Sequence, residues 1–221
     1  MNFPRTSVAL VLLATIGVSG ANAETIQIGN VPDNIKVPAG NRAYLVGHAI
    51  GTQNYVCAPS ASSSSGVAYA LFTPQATLFS DDLKQLTTHF FSPSPTEINT
   101  NPAVVAVGPI RATWEHSRDT SKVWAKARPA DPSIPGDLGD SSTDPNFVAS
   151  GAVAWVKLTA TATENGPTGG DVLAKTTFVQ RLNTAGGLAP STGCAALTDL
   201  GHQAFMPYTA DYVFYRKSPT R

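Results

Sequence analysis

The stretch PYTADYVFYR, residues 207–216, decides the fold that we predict for this chain. Its side chains alternate with a period of two, and the two sets are Tyr208, Ala210, Tyr212 and Phe214 on one face, and Thr209, Asp211, Val213 and Tyr215 on the other. Successive side chains of a β-strand point to opposite sides, and aromatic and β-branched residues favour strands. The stretch therefore predicts a β-strand near the end of the chain.

Similar short runs recur between turn residues along the rest of the chain. They occupy residues 43–50, 52–58, 67–73, 76–79, 86–91, 104–107, 112–116, 122–127, 152–162 and 173–182. Long helical periodicity is absent, and although residues 171–184 also fit a short helix, the run Thr176–Val179 favours a strand. Many short strands indicate a mostly-β, single-domain antiparallel sandwich or a barrel-like fold with at most short helices.

Three stretches rich in Ser, Pro or Asp separate these runs, at residues 58–66, 92–102 and 129–145. Such compositions are typical of surface loops. Because we expect the final strands and Cys194 to tie back to the beginning of the chain, we assign all three loops to one domain that spans residues 24–221.

The first 23 residues have the pattern of a secretory signal peptide. Arg5 precedes an apolar run at residues 8–18, and Ala21-Asn22-Ala23 forms an A-x-A cleavage site. The apolar run is shorter than the roughly 20 residues that a membrane-spanning helix needs, and no other run approaches that length. We therefore expect cleavage between Ala23 and Glu24, and a secreted or periplasmic protein that does not span the membrane.

Charge and cysteine content narrow the possible functions. The 15 basic and 15 acidic side chains cancel, whereas binding to nucleic-acid phosphates requires a basic excess, so we expect no nucleic-acid partner. In an oxidising compartment we expect Cys57 and Cys194 to form a disulfide. Two free thiols or half of a metal site are the alternatives, but a lone pair without C-x-x-C spacing is poor evidence for zinc.

Several strings along the chain resemble one protein family. They are residues 51–57 (GTQNYVC), 74–79 (PQATLF), 113–115 (TWE), 119–124 (DTSKVW), 180–187 (QRLNTAGG) and 207–215 (PYTADYVFY). This is similar to a family of secreted proteins of unknown function from bacteria and fungi, some of whose fungal members are labelled malate dehydrogenase. The resemblance covers about residues 43–215 and implies a compact, mostly-β domain with no assigned catalytic residue. The family usually has a glycine in a tight turn where this chain has Thr120.

The dehydrogenase label has no support in the residues themselves. A dinucleotide site needs a G-x-G-x-x-G string between a strand and a helix, and the chain contains none. The G-x-S-x-G and H-E-x-x-H signatures of hydrolases and metalloproteases are also missing. We therefore expect no cofactor, and the sequence favours a non-enzymatic function.

The first candidate site is a cluster of His89 with Trp114, Glu115 and His116. In a strand over residues 112–116, Trp114 and His116 share one face and Glu115 points the other way. Two histidines brought together are suited to Cu or Zn, and a histidine beside Glu115 is suited to acid–base catalysis. The alternative is that both histidines are structural, so we assign no metal site.

The second candidate feature is Trp124, which shares a strand face with Lys122 and Lys126. An indole among polar neighbours is suited to stacking on a sugar, unless the lysine stems simply cover it. Gln53 and Tyr55 share a face of their own strand and are candidates for the same cleft. The basic stretch 111–128 predicts an anion-binding groove or, alternatively, attraction to the acidic residues that follow it.

These observations leave three functional hypotheses. The leading one is a secreted, non-enzymatic β-domain that binds a small molecule or a cell-wall saccharide. The second is an extracytoplasmic enzyme or metal-binding protein with a site around His89, Glu115 and His116, which requires those side chains to converge. The third is a surface protein that acts through protein contacts.

Overall fold

A computed structural model of the chain describes residues 26–98 and 108–219. Its strands are β1 (Asn41–Pro59), β2 (Val67–Phe79), β3 (Gln85–Pro93), β4 (Ile110–His116), β5 (Lys122–Lys126), β6 (Ser141–Ser142), β7 (Trp155–Glu164), β8 (Thr176–Gly186) and β9 (Gln203–Lys217). Two 3-10 turns, Asp33–Ile35 and Leu197–Asp199, are the helical elements of these residues, and no helix among them is long and apolar enough to cross a membrane. The predicted signal peptide and the predicted strand at residues 104–107 lie outside the described residues.

The strands form one antiparallel sheet that closes on itself. Their order is β5-β4-β3-β2-β1-β9-β8-β7-β6, and β5 also pairs with β7, for example Trp124 with Ala162. Eight strands therefore complete a barrel, and the two-residue β6 is attached outside the ring through β7. The mostly-β prediction is confirmed, and the structure selects the barrel over the sandwich.

Strand β1 is continuous where the sequence predicts two runs separated by Gly51. Gly51 lies opposite Ala76 of β2 and Tyr208 of β9. A Cβ at Gly51 would come within 2.5 Å of the Ala76 Cα, so a glycine permits this close approach of the two backbones. The predicted break at Pro74 is likewise absent, since β2 runs through it with a register shift near Asn54 and Tyr55 of β1.

The interior of the barrel is filled by one face of each strand. The predicted face of β9 is buried there, with Phe214 fully buried and Tyr212 only 1% exposed. The other strands contribute Leu78, Trp114, Val123, Leu158 and Val179. Strand alternation therefore directs the aromatic face of residues 207–216 into the closed ring, as expected for a β-barrel.

A second apolar cluster lies on the outside of the barrel, beneath the segment that precedes β1. It joins Ile35, which is fully buried, to Trp155, Val213 and Tyr215. Gln180 fastens the segment, because its Nε2 donates to the Ile35 carbonyl at 2.7 Å. This packing explains why the second face of β9 also carries large apolar side chains.

One end of the barrel is closed by the loop that precedes β8. Asp119 accepts hydrogen bonds from the Val172 amide at 3.0 Å and the Ser121 hydroxyl at 2.7 Å, and Ser121 Oγ accepts one from the Leu173 amide at 3.0 Å. Burial alone would raise the pKa of Asp119, but these hydrogen bonds outweigh it and lower the pKa to about 2. The anchored loop inserts Leu173, which is fully buried, into the interior.

The opposite end carries the disulfide. Strands β1, β2 and β9 continue together there, and Cys57 of β1 is bonded to Cys194 with 5.4 Å between the Cα atoms. The bond ties the segment between β8 and β9 to β1. The predicted pairing of the two cysteines is confirmed.

Candidate functional site in the mouth of the barrel

A cavity of about 250 Å³ lies in the barrel interior toward the end that carries the disulfide. Its apolar walls come from Phe91, Ala112, Trp114, Ala125, Val156, Leu158 and Tyr212. Its polar residues are Gln53, His89, Arg111, Lys126 and Arg181. An eight-stranded barrel is just wide enough to be filled by side chains or to hold one small ligand. Here side chains fill the closed end, and the cavity lies toward the mouth.

His89 and Trp114 form a stacked pair in the cavity wall, with ring centroids 4.3 Å apart and an angle of 4° between the rings. The Nδ1 of His89 donates to the Thr113 carbonyl at 2.9 Å, so the other ring nitrogen, Nε2, is an acceptor in the neutral ring. Burial lowers the pKa of His89 to about 3, and the charge of Arg181 adds to this effect. The wall is therefore flat, aromatic and uncharged at neutral pH.

Gln53 and Tyr212 also line the cavity, and the Tyr208 hydroxyl lies beside that of Tyr212. The two tyrosine oxygens lie 3.2 Å apart, and burial raises the pKa of Tyr208. The Gln53 carboxamide lies close enough to Tyr208 to oppose that shift, yet its Nε2 has no hydrogen-bond partner among the described residues. Trp114 Nε1 is a second buried donor without a partner there. Buried polar groups are normally hydrogen-bonded, so these two donors on residues that line one cavity are exceptions to that rule.

Arg181 brings a positive charge to the mouth. It lies two residues after Val179 on the inward face of β8 and is half-buried. Its Nε and Nη2 donate to the Ala154 carbonyl at 3.1 and 2.8 Å. Within residues 26–98 and 108–219, no carboxylate forms an ion pair with it.

Two further cations line the rim and share one carboxylate. Arg111 binds Glu97 through two hydrogen bonds of 2.8 Å, and Lys126 binds the same carboxylate at 3.0 Å. The hydrogen bonds from Arg111 are the main cause that lowers the pKa of Glu97 to about 2. At the other end of the basic stretch 111–128, Arg128 binds Asp137 of the acidic segment, as the alternative interpretation expects, and the anion-binding groove stays a prediction.

The structure brings three of the sequence candidates together and separates the others. Gln53, His89 and Trp114 line the cavity. Tyr55 lines an adjoining groove, which shares Gln53 and Arg181 with the cavity, and its hydroxyl donates to the Gly187 carbonyl at 2.7 Å. Trp124 lies elsewhere: it is 5% exposed, and its Nε1 donates to Ser92 Oγ at 2.8 Å. A buried indole of this kind has no face on which a sugar can stack.

Glu115 and His116 do not converge with His89. Glu115 points away from Trp114 and forms an ion pair with Lys122 at 3.4 Å. The His116 Nδ1 lies 2.9 Å from the Asp119 carboxylate at the closed end of the barrel. In the part of the chain that the structure describes, no group of three or more His, Cys, Asp or Glu side chains is arranged to hold a metal. The geometric condition for the enzyme or metal hypothesis is therefore not met by these three residues.

Arg181 and Tyr212 are the site residues that the sequence analysis did not select. One feature of the sequence could have identified Arg181: it shares a strand face with Val179 in a predicted strand. A charged residue on an apolar strand face is expected to be buried only with a function or a partner. Tyr212 had no distinguishing signal among the alternating aromatic residues of β9.

Comparison with known proteins gives one match. A family profile described as "Protein of unknown function (DUF3455)" matches residues 38–216. The match covers the strands of the barrel except the last residue of β9, Lys217, and includes all the cavity residues discussed above. No curated protein and no solved structure matches the chain.

Proposed function

This chain belongs to the DUF3455 family of proteins of unknown function, so we propose a function from its own site: the mouth of the barrel binds a small, flat, largely apolar molecule. The half-buried apolar side chains of Phe91 and Ala112 in the cavity wall pack against one face of that molecule. Gln53 supplies a hydrogen-bond donor to a polar atom at its edge. The role is binding, since the lining formed by the described residues does not combine a nucleophile with a base.

The unpartnered Nε2 of Gln53 is the observation that carries this proposal. The residue is 1% exposed, and leaving a buried amide donor unsatisfied costs about 1–3 kcal/mol. A ligand with an acceptor at that point removes the cost. The side chain is thus suited to recognise a bound molecule rather than to stabilise the barrel alone.

The size and polarity of the cavity support a compact aromatic ligand over a saccharide. A dry apolar cavity of about 150 Å³ is enough to bind benzene, and this cavity measures about 250 Å³. A sugar ring has several hydroxyl groups that need partners, whereas most of the lining is apolar. The cell-wall saccharide of the sequence analysis is therefore the less favoured ligand.

We also propose that the protein acts outside the cytoplasm, after removal of residues 1–23. The Cys57–Cys194 disulfide supports this, because such bonds persist mainly in oxidising compartments. Determination of the N-terminal residue of the exported protein tests it. Glu24 is the expected first residue, and a retained Met1 would contradict the proposal.

Binding is tested with indole as a flat apolar probe and N-acetylglucosamine as a saccharide probe. Thermal unfolding of the oxidised protein is recorded by differential scanning calorimetry, since a ligand at about 100 times its dissociation constant adds about 2.7 kcal/mol of stability. We expect indole to raise the unfolding temperature and N-acetylglucosamine to leave it unchanged. A shift with the saccharide alone would overturn the apolar assignment.

Two variants locate the binding. Ala127→Phe narrows the mouth at a half-buried position of the cavity wall and is expected to abolish the shift with indole. Ile50→Phe is the matched control, because Ile50 is 64% exposed and does not line the cavity. If Ala127→Phe binds indole as well as Ile50→Phe does, the cavity is not the site.

A further inference from the structure

We propose that the molecule bound in the mouth is an aromatic carboxylate, and that Arg181 binds its carboxylate group. The inference rests on the proposed function, because it names the ligand class of the same cavity. It would make Arg181 the residue that determines specificity.

The first argument is the incomplete pairing of the Arg181 guanidinium. Nε and Nη2 both donate to one carbonyl, that of Ala154, and Nη1 bonds to no described residue. Guanidinium groups bind carboxylates through two parallel hydrogen bonds, which are stronger than bonds between neutral groups. An Arg that is half-buried in an apolar wall therefore retains the capacity to bind an anion.

The second argument is the charge balance of the cavity. Among the described residues three cations line it, namely Arg111, Lys126 and Arg181, and no Asp or Glu does. Glu97 pairs with the first two at the rim, and its single negative charge offsets one of their two positive charges. The excess positive charge favours an anionic ligand and raises its local concentration.

The third argument is the nature of the other walls. Because the pKa of His89 lies far below neutrality, its ring adds no charge to the cavity. Trp114 is fully buried, with its ring 4.3 Å from that of His89, so the apolar surface that a ligand meets is that of the half-buried lining residues Phe91 and Ala112. An acid with its carboxylate toward Arg181 and its ring against these residues satisfies both surfaces. Benzoate is the smallest molecule of that description.

The experiment compares four probes by isothermal titration calorimetry: benzoate, benzamide, benzyl alcohol and hexanoate. Benzamide has the shape of benzoate without the charge, and hexanoate has the carboxylate on a flexible chain. We expect benzoate to bind the oxidised protein at least about tenfold more tightly than each of the other three. Equal binding of benzoate and benzamide would show that the negative charge of the ligand is not recognised. Tighter binding of hexanoate than of benzoate would show that the ligand need not be aromatic.

Variants test whether Arg181 is responsible for the preference for benzoate over benzamide. Arg181→Met is expected to bind benzoate and benzamide equally, and Arg181→Lys to retain only part of the preference because it loses the bidentate geometry. Arg118→Met is the control: it removes one charge from an exposed position beside the closed end and should leave the preference intact. Far-ultraviolet circular dichroism checks that each variant is folded.

The two proposals fail in different ways. If indole and benzamide bind and Ala127→Phe blocks them, but benzoate has no advantage, the cavity is a binding site and the carboxylate assignment is wrong. If no probe binds the native protein, the proposed function itself is wrong. If Arg118→Met loses the preference as Arg181→Met does, the effect arises from overall charge and Arg181 is not the anchor.

Discussion

The rings of His89 and Trp114 lie parallel, 4.3 Å apart, in the wall of the barrel cavity. His89 belongs to β3 and Trp114 is its direct partner in β4, so the sheet register itself sets the stacking. Tyr212 packs against both rings, with centroid distances of 5.1 Å to His89 and 5.5 Å to Trp114. The three rings form a rigid wall that joins the barrel core to its mouth.

The buried imidazole predicts a loss of stability in acid. The pKa of His89 is about 3 in the folded chain, against about 6.5 when unfolded. The neutral His89 therefore contributes fully to the free energy of unfolding above about pH 6.5. This contribution is lost as the pH falls toward 3, and the loss at pH 5 is about 2 kcal/mol. Urea unfolding of the native protein and of His89→Phe across this range measures it.

His89→Phe keeps a ring in the stack but cannot titrate, so its stability should fall less between about pH 7 and pH 5. Its stability at about pH 7 should be lower, because the hydrogen bond to Thr113 is lost. If the native protein and the variant lose the same free energy on acidification, His89 is not the residue responsible.

His48 predicts a pH dependence of the opposite sign. Its Nδ1 lies 2.6 Å from Asp211 and its Nε2 lies 2.7 Å from Asp81, and the hydrogen bond to Asp211 is the main cause that raises its pKa. The stabilisation is thus complete below about pH 6.5 and is lost as the pH rises through the raised value.

The effect of His48 should be below about 1 kcal/mol, because Asp81 is 98% exposed and solvent screens the pair. His48→Gln cannot titrate, so it should remove this part of the pH dependence and its sensitivity to salt. Urea unfolding at about pH 5.5 and about pH 8.5, at low and high salt, measures it. An unchanged profile in the variant would show that the two carboxylates do not hold the imidazolium.

Thr120 predicts a stabilising substitution. The turn expected between β4 and β5 forms, with the Thr120 amide bonded to the His116 carbonyl at 2.9 Å, but Thr120 adopts a φ of 54°. A β-branched residue is strained in that region, whereas glycine is not. Thr120→Gly should raise the free energy of unfolding by about 0.5–1 kcal/mol.

Thr120→Ala is the control for this substitution, since alanine keeps the Cβ and most of the strain. Urea unfolding compares both variants with the native protein. Equal stability of the glycine and alanine variants would show that the backbone conformation is not the cause.

The disulfide predicts a large contribution to stability. The bond joins residues 137 positions apart, and a loop of that length is worth up to about 5 kcal/mol in the unfolded chain. The double variant Cys57→Ser/Cys194→Ser should unfold at much lower urea concentration than the oxidised protein. Reduction of the native protein should produce a similar loss, and a stable reduced protein would contradict the prediction.

The strands and their faces were predictable because alternation is a local property of the chain. The predicted division of residues 207–216 into two faces is confirmed, as are the mostly-β class and the Cys57–Cys194 pair. Three of the proposed site residues, Gln53, His89 and Trp114, were also found from residue type and strand position. Trp124 was not distinguishable from Trp114 by these criteria, since both are indoles in short strands.

The sequence by itself determined which residues form strands and which side chains share a face, because those properties depend on neighbours one or two positions away. Only the tertiary structure decided which strands pair and which side chains they bring together. Closure of the ring through β5 and β7 directs Trp114 into the cavity wall. Trp124 is buried outside the cavity, where it donates a hydrogen bond to Ser92. The same closure brings Arg181 of β8 to the cavity that Gln53 of β1 lines, although 128 positions separate them. Strand register acts over such distances, and no local pattern encodes it.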